Sequence, residues 1–214
     1  MFVRSGTSWS QQAELTAKDA ATGDRFGRSV ALSGTTALIG APGKNSSTGS
    51  PYAVAAPSPQ AVSTARDAAT NERFGYSVAV SGTTTLIGAP YRTSSRGAAY
   101  VFVRTGTSWG QQAELTANDA ATGDNFGSSV ALSGTTALIG ALYKKTSTGA
   151  AYVFVHTGTS WSQQAELTAS DSATNDFVGW SVAVSGTTAL IGAPDKDTSR
   201  GAAYVFATSA TSRR

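Results

Sequence analysis

The sequence DNFGSSVALSGTTALIGA, residues 124–141, occurs four times in the chain in closely similar form. The other copies are DRFGRSVALSGTTALIGA at 24–41, ERFGYSVAVSGTTTLIGA at 72–89 and DFVGWSVAVSGTTALIGA at 176–193. The aligned glycines are spaced by 48, 52 and 52 residues, and they are Gly27, Gly75, Gly127 and Gly179. Self-similarity at a period of about 50 residues predicts a repeat architecture before any single residue is weighed.

Each copy of the repeat reads as four short β-strands. The first strand, SVAL or SVAV, alternates small polar with branched apolar residues, as a strand with two unlike faces does. An SGTT turn follows, in which glycine supplies the positive φ that a two-residue hairpin requires. The second strand ends in LIGA, the third is AAYVF in the last three copies, and the fourth begins at tryptophan. Four antiparallel strands in a repeated meander predict an all-β propeller with one four-stranded blade per repeat.

One blade boundary departs from the repeat. Where tryptophan and QQAEL are expected after the first copy, residues 55–62 read AAPSPQAV. Proline cannot donate a hydrogen bond to a neighbouring strand and is tolerated only at a sheet edge. Because the outermost strand of a blade is such an edge, we expect a weak or missing fourth strand there.

The two ends of the chain complement each other. The last repeat stops after its third strand, and Arg213 stands where tryptophan begins the fourth strand in other repeats. A fourth-strand sequence lies instead at the N-terminus, from Trp9 to Leu15. We therefore predict a single propeller domain over residues 1–214, closed into a ring by an N-terminal strand, within residues 1–17, that pairs with the last blade. The four repeats cover about residues 18–65, 66–117, 118–169 and 170–208.

Two other arrangements fit the same repeats. One is a four-repeat slice of a larger propeller, and the other is a pair of chains that combine into an eight-bladed ring. A ring closed within one chain predicts a monomer, whereas an incomplete ring exposes strand edges and predicts a homodimer.

Composition limits the class of protein. Of 214 residues, 14% are charged and 40% are hydrophobic, with 23 glycines, which is typical of a β-rich globular protein. Cysteine is absent, so neither a disulfide nor a thiolate metal site is possible. No apolar run approaches the roughly 18 residues of a membrane-spanning helix, and the opening MFVRS is not typical of a signal peptide. We therefore expect no membrane insertion. The net charge of +3 is modest and no basic run exists, so we do not expect nucleic-acid binding either.

The Phe-Gly start and Gly-Ala-Pro finish of the repeat resemble FG-GAP repeats, which build the β-propeller of integrin α-subunits and of related bacterial surface or secreted proteins. Residues 26–42 and 74–90 carry both ends of this motif, while Ala141-Leu142 and Val178-Gly179 depart from it. The resemblance covers essentially the whole chain. It implies an extracellular or cell-surface protein that acts in adhesion or protein binding. If the protein is exported, the sequence is a fragment or lacks its targeting segment.

The calcium sites of the family are not expected here. Many FG-GAP blades carry a loop that resembles a calcium site, with the sequence Asp-x-Asp-x-Asp-Gly between their first two strands. This chain has SGTT there, at residues 33–36 and at the equivalent positions. A hard cation that takes six or more oxygen ligands finds no carboxylate there. We therefore predict no metal and no cofactor.

The carboxylates follow the repeat. Eleven of the thirteen occupy positions shared between repeats, and four pairs flank the loops before each first strand: Asp19/Asp24, Asp67/Glu72, Asp119/Asp124 and Asp171/Asp176. Such residues accept hydrogen bonds from backbone N–H groups and fix turns. We favour this role over a metal site or an acid–base pair, because the pairs occur in every repeat and catalysis usually breaks repeat symmetry. His156 is the only histidine and is expected on the surface. Nothing in the sequence supports an enzyme.

Variation between the repeats marks the candidate binding residues. The position after the repeat glycine holds Arg28, Tyr76, Ser128 and Trp180, which form an uneven ring at a channel mouth if the first strands line the axis. The loops between second and third strands vary too, and their basic residues are interpreted as exposed on one face. These loop candidates are Lys44, Tyr91, Arg92, Arg96, Tyr143, Lys144, Lys145, Lys196 and Arg200. The alternatives are packing for the ring residues and solubility for the basic ones.

The sequence thus predicts a non-enzymatic binding or adhesion module that displays rigid loops to an acidic protein or an anionic glycan. Aromatic faces would stack on sugar or side chain, and arginine would pair with carboxylate. Three tryptophans that begin fourth strands, Trp9, Trp109 and Trp161, are interpreted as packing between blades rather than as stacking platforms. The alternative function is a purely structural or assembly module, with no ligand of its own.

Overall fold

The computed structural model describes residues 2–5, 7–11, 13–55, 58–61 and 65–207. Within these ranges the chain is all-β apart from four one-turn helical segments. The strands are β1 (Phe2–Ser5), β2 (Ser8–Gln11), β3 (Ser29–Ser33), β4 (Thr36–Ala41), β5 (Ser50–Ala55), β6 (Ser58–Ala61), β7 (Ser77–Ser81), β8 (Thr84–Ala89), β9 (Ala98–Thr105), β10 (Ser108–Leu115), β11 (Phe126–Ser133), β12 (Thr136–Ala141), β13 (Ala150–Thr157), β14 (Ser160–Leu167), β15 (Ser181–Ser185), β16 (Thr188–Ala193) and β17 (Ala202–Ala207). The helical segments are α1 (Lys44–Ser47), α2 (Arg92–Ser95), α3 (Lys144–Ser147) and α4 (Lys196–Ser199).

The strands form antiparallel sheets in chain order, as the repeat predicts for propeller blades. Blade 1 is β3–β6, blade 2 is β7–β10, blade 3 is β11–β14 and blade 4 is β15–β17. Strands β1 and β2 form a separate hairpin. The proline-containing β6 has four residues, against eight in its counterparts β10 and β14, in line with the weak strand expected there.

Each inner hairpin turns on a glycine. Ser133 pairs with Thr136, so Gly134 and Thr135 form a two-residue loop between β11 and β12. Gly134 has a φ of 56°, a left-handed conformation that costs a residue with a Cβ about 1–2 kcal/mol. The turn glycine of the repeat therefore follows from local backbone geometry.

The segment before each inner strand docks on the loop of the preceding blade. The backbone N–H groups of Asn125 and Phe126 donate to the carbonyl oxygens of Ser95 and Arg96 at 2.8 and 3.1 Å. The same two bonds join blade 1 to blade 2 and blade 3 to blade 4. The Phe-Gly motif is therefore a contact between blades, not only the start of a strand.

Each hydrophobic core also lies between two blades. Leu38 of blade 1 belongs to one cluster with Phe74 and Val78 of blade 2, and Leu86 of blade 2 belongs to another with Phe126 of blade 3. A third cluster joins blade 3 to blade 4. Because each blade buries its apolar faces against its neighbours, the outer faces of the first and last blades depend on what lies next to them.

The predicted pairing of the N-terminal strand with the last blade is not seen in the described residues. Strand β2 pairs with β1 in the register Arg4↔Trp9, which is the register of Arg104↔Trp109 between β9 and β10. Because β1 repeats the Phe-Val-Arg sequence of β9 and lies next to β2 in the chain, it supplies a partner at a small loop-closure cost. Among the described residues, no strand pair joins blade 1 to blade 4.

Candidate functional site

A hollow of about 250 Å³ opens where the inner strands begin, and all four blades contribute to it. The residues that follow the repeat glycines line it together, namely Arg28, Tyr76, Ser128 and Trp180. Its other lining residues are Pro90, Tyr91, Asn125, Leu142 and Tyr143. The structure therefore brings together the four positions that differ most between repeats, and it adds two of the loop tyrosines.

Two groups of aromatic rings hold their positions by edge-to-face contacts. The rings of Tyr76 and Tyr91 lie 6.0 Å apart at 68°. In the second group, the ring of Phe177 lies 5.7 Å from that of Tyr143 and 6.1 Å from that of Trp180. Trp180 is 53% exposed and Tyr143 43% exposed, so much of both rings remains accessible. Accessible aromatic rings in a concave site are typical of ligand binding.

Arginine makes the hollow positively charged. Nη2 of Arg28 donates to the hydroxyl of Tyr76 at 2.8 Å, and Cζ of Arg73 lies 4.3 Å from the ring centroid of Tyr91. These contacts pre-organise the guanidinium groups on aromatic surfaces. None of the lining residues, all of them in the described part of the chain, is a carboxylate. The one charged side chain that lines the hollow, within the described part of the chain, is therefore the cation of Arg28.

The first basic residue of each loop is buried rather than displayed. Lys44, Lys144 and Lys196 are 7%, 5% and 8% exposed, so the expectation that they are accessible to a ligand is wrong. Nζ of Lys144 lies 2.8 Å from Oδ2 of Asp119 and 3.0 Å from Oδ2 of Asp124, and it donates to the Asp119 carbonyl at 2.7 Å. Three acceptors within its own blade thus satisfy the ammonium.

This ion cluster also holds a tyrosine and fixes a turn. The hydroxyl of Tyr152 donates to Oδ1 of Asp119 at 3.0 Å, and Oδ2 of Asp124 accepts the N–H of Ala121 at 2.8 Å. The turn-fixing role predicted for the acid pairs is therefore confirmed for the second acid of each pair, whereas the first acid accepts a hydrogen bond from the tyrosine instead. Blades 1 and 4 carry the same lysine, acids and tyrosine.

Blade 2 carries an arginine version of the cluster. The guanidinium of Arg92 contacts three carboxylates, those of Asp67, Glu72 and Glu114. Arg92 is therefore bound to acids of its own blade, like the three lysines. The prediction that it contacts a ligand is corrected for the same reason. The longer Glu72 replaces the aspartate of the other blades, and the planar fork of arginine suits several carboxylates at once.

A left-handed turn decides which lysine of the loop is buried. Residues 145–147 have φ values of 50°, 58° and 65°, and the corresponding three residues of every other blade are also left-handed. The turn directs Lys144 into the blade, whereas the side chain of Lys145 stays 60% exposed, 3.4 Å from Glu166. Arg96 and Arg200 are exposed like Lys145, and none of these three lines the hollow.

The ion clusters shift the pKa values of their members. Burial by itself lowers the pKa of Lys144, but hydrogen bonds to Asp119 and Asp124 outweigh it and raise that pKa above its ordinary 10.5. Burial likewise raises the pKa of Asp119, but hydrogen bonds from Lys144 and Tyr152 bring it below its ordinary 3.8. Both groups are therefore charged at neutral pH in the folded protein.

We expect stability to be flat from about pH 5 to pH 10 and to fall outside that range. A carboxyl group whose pKa is lowered by folding adds stability that is present above its unfolded pKa, near 4, and is lost as pH falls through the folded value. A lysine whose pKa is raised adds stability that is present below about 10.4 and is lost as pH rises through the folded value. Thermal melts from pH 2 to pH 12 measure this. A loss of stability already between pH 6 and pH 8 contradicts the prediction.

Sequence reasoning missed the ion clusters although the chain carries a signal for them. In blade 3 the lysine follows the first acid after 25 residues and the second acid after 20, and the tyrosine follows the first acid after 33. These spacings recur in all four blades. A basic residue at a constant sequence separation from an acid pair indicates a structural role for that residue, even where the rest of the loop varies.

Other chemistry is sparse in the described part of the chain. His156, expected on the surface, is only partly exposed because its ring lies 5.1 Å from that of Trp161. No group of three or more His, Cys, Asp or Glu side chains among the described residues is placed to hold a metal ion. No helix among them is long and apolar enough to cross a membrane.

Comparison with known proteins agrees with the repeat architecture. A family model described as the FG-GAP repeat matches the chain four times, at residues 9–54, 58–102, 109–154 and 161–206. These matches cover most of the chain. None of the curated proteins matched it significantly. The third and fourth matches begin at the tryptophan of a fourth strand and end in the third strand of the following blade, so the family's repeat unit spans a blade boundary.

Proposed function

The chain belongs to the FG-GAP repeat family, and on that basis we propose that it is a non-enzymatic binding module whose blades present the hollow to an anionic ligand. FG-GAP repeats form a β-propeller repeat module, and the four sheets fit that architecture. In this proposal the repeated residues build a rigid frame, and the residues that differ between blades contact the ligand. The family resemblance further leads us to propose a surface or secreted location and a role in adhesion.

Four positions in one hollow carry this proposal. The docking bonds and ion clusters repeat from blade to blade, whereas Arg28, Tyr76, Ser128 and Trp180 have four different chemistries at one equivalent position. A site that recognises one ligand needs different groups at equivalent positions, while a scaffold does not. The proximity of these four residues therefore supports a binding role.

The chemistry of the hollow supports an acidic sugar ring or an acidic side chain as the group that enters it. Its volume of about 250 Å³ is a little below the roughly 300–1,000 Å³ typical of ligand pockets, so it suits one such group at the end of a larger ligand. Tyr143 and Trp180 offer ring faces for stacking. Arg28 has five N–H donors, and those not used by Tyr76 are available to a carboxylate or sulfate.

The double variant Arg28→Ser/Trp180→Ala is expected to weaken the binding of oligogalacturonate at least tenfold. Loss of a charge-assisted hydrogen bond removes about 1.5–3 kcal/mol, and 1.4 kcal/mol corresponds to a factor of ten in affinity. Titration calorimetry with oligogalacturonate and with its neutral methyl ester measures both the affinity and the contribution of charge. A polyglutamate peptide, titrated in the same way, separates an acidic protein from an anionic glycan.

Lys145→Ser is the matched control, because Lys145 is an exposed cation outside the hollow. It is expected to leave the affinity within about twofold, since exposed charges contribute little. An equal loss in this control shows that general surface charge attracts the probe. If neither oligogalacturonate nor polyglutamate binds the unaltered protein, the proposed function is wrong.

A structural or assembly role is the second candidate, and exposed apolar side chains on both end blades favour it. Val30 and Leu32 of blade 1 are 69% and 74% exposed, and Val205 of blade 4 is 69% exposed. Side chains of this kind are buried between blades elsewhere in the chain.

A further inference from the structure

A second cavity, of about 520 Å³, lies between blades 3 and 4. Most of its lining is apolar and includes Leu138, Val153 and Leu167 of blade 3 and Phe206 of blade 4. Gln164 also lines it. This space is open to solvent on one side, so it leaves apolar surface of both sheets uncovered.

A tryptophan fills the equivalent space between blades 2 and 3. Trp161, from the fourth strand of blade 3, packs against the cluster that contains Leu86 and Val101, and its Nε1 donates to Oε1 of Gln112 at 2.9 Å. Two members of that cluster and the partner of Trp161 correspond, 52 positions later, to lining residues of the cavity: Leu86 to Leu138, Val101 to Val153 and Gln112 to Gln164. Trp109 packs in the same way on the cluster between blades 1 and 2. The cavity therefore lies at the position that a fourth-strand tryptophan of blade 4 would occupy.

The chain contains one more fourth-strand sequence than its blades use. Residues 9–15 read WSQQAEL, identical to residues 161–167 of β14. Yet β2 comprises only Ser8–Gln11, half the length of β14, and neither Glu14 nor Leu15 belongs to a strand. In the described residues blade 4 has three strands, and position 213 holds arginine in place of tryptophan.

The two end blades also expose complementary halves of the interface that joins blades within the chain. On blade 4, Leu190 and Val205 are 43% and 69% exposed, whereas Leu138, the counterpart of Leu190, is fully buried by the next blade. On blade 1, Val30 is 69% exposed, whereas its counterpart Val78 is 8% exposed against the preceding blade. Within the described part of the chain, these apolar faces of blades 4 and 1 are therefore not covered by another blade.

We propose that a second copy of this chain occupies both surfaces. Residues 9–15 of one copy add to β17 of the other as its fourth strand, Trp9 enters the cavity, and blade 1 covers Leu190 and Val205. The exposure of Val30 favours a second copy over closure within one copy, since a closed ring would cover that face with blade 4. In this pairing β2 exchanges β1 for β17, and the register of β13 with β14 sets Ser10 opposite Ala207.

The contact is head-to-tail, so it either closes a ring or continues into a longer assembly. Two copies supply eight blades, which is within the range of known propellers. The contact repeats an interface already present three times in the chain. The proposed contact between copies involves neither the hollow nor Arg28. The test of this contact is therefore independent of the test of ligand binding.

Two single-cysteine variants, Ser10→Cys and Ala207→Cys, test the proposal directly. The chain has no cysteine of its own, and one cysteine per chain cannot form a bond within that chain. When the two variants are mixed and oxidised, we expect a disulfide-linked product of twice the 21.7 kDa mass, which neither variant forms alone. If the mixture gives no linked product while the double variant Ser10→Cys/Ala207→Cys forms a bond within a monomer, the strand closes its own ring and the proposal is wrong.

Sedimentation equilibrium provides an independent test. We expect the unaltered chain to be a dimer, or a larger assembly built on the same contact, and Trp9→Ala to raise its dissociation constant at least 30-fold, because buried tryptophans dominate interface energies. Trp180→Ala is the control and should leave association unchanged, since Trp180 lies in the hollow. A chain that is monomeric at all concentrations overturns the proposal, and so does equal weakening by both variants.

Discussion

Replacing Lys144 with methionine is expected to lower the free energy of unfolding by about 3 kcal/mol. Methionine retains most of the volume but removes the ammonium that lies 3.0 Å from Asp124, whose side chain is only 8% exposed. A buried carboxylate is then left without its counter-ion, and that loss is larger than the net contribution of the ion pair itself. For a chain of this length the change corresponds to a fall of roughly 6–12 °C in the midpoint of thermal unfolding.

Lys145 provides a control one residue away. Its side chain is 60% exposed and lies 3.4 Å from Glu166, so Lys145→Met is expected to change stability by no more than about 0.5 kcal/mol. The double variant Lys144→Met/Asp124→Asn should recover part of the loss, because it removes the buried charge as well as its partner. Equal effects at Lys144 and Lys145 would show that the cluster does not depend on burial.

Gly149→Ala is expected to destabilise the protein by at least about 3 kcal/mol or to prevent blades 3 and 4 from docking. Gly149 has a φ of 83° and forms a parallel bridge with Val178 of the next blade. A Cβ placed on Gly149 would lie 2.1 Å from the carbonyl oxygen of Val178 and 2.4 Å from its nitrogen. Both atoms are backbone, so they cannot move without separating the blades.

The matched control is Gly158→Ala in the hairpin between β13 and β14. Gly158 also has a positive φ, 63°, but nothing lies within 4 Å of a Cβ built on it. Its substitution is expected to cost about 1–2 kcal/mol, the intrinsic cost of a left-handed alanine. Denaturant unfolding monitored by tryptophan fluorescence measures both variants. If both variants lose the same free energy of unfolding, the close approach of the blades at Gly149 adds nothing to stability.

The strands and the ring of variable residues could be predicted because both depend on local pattern. Alternation in SVALS and the turn glycine at Gly134 define the hairpin of β11 and β12 without help from other blades. The position after the repeat glycine occupies the same place in every blade, so aligning the repeats was enough to bring Arg28 and Trp180 into one hollow.

Which lysine of the loop is buried could not be predicted from residue type. Lys144 and Lys145 are adjacent and chemically identical, yet one is 5% exposed and the other has a side chain that is 60% exposed. The left-handed turn at residues 145–147 makes that difference, and propensities give no reason to expect three consecutive residues there with positive φ. The interpretation of Lys144 as a displayed charge was wrong for that reason.

The blade, its hairpins and the number of repeats can be read from the sequence alone, because alternation and turn glycines act over a few residues. The roles of the most repeated residues become visible only when the blades pack together. The Phe-Gly segment of residues 126–127 turned out to dock on the preceding blade, and the acids of each repeat turned out to bury a basic side chain. Both depend on segments that are 20 or more residues apart and meet only when the blades pack. The exposure of Val30 and Val205 has the same reason, since a blade face is buried only when another blade lies against it.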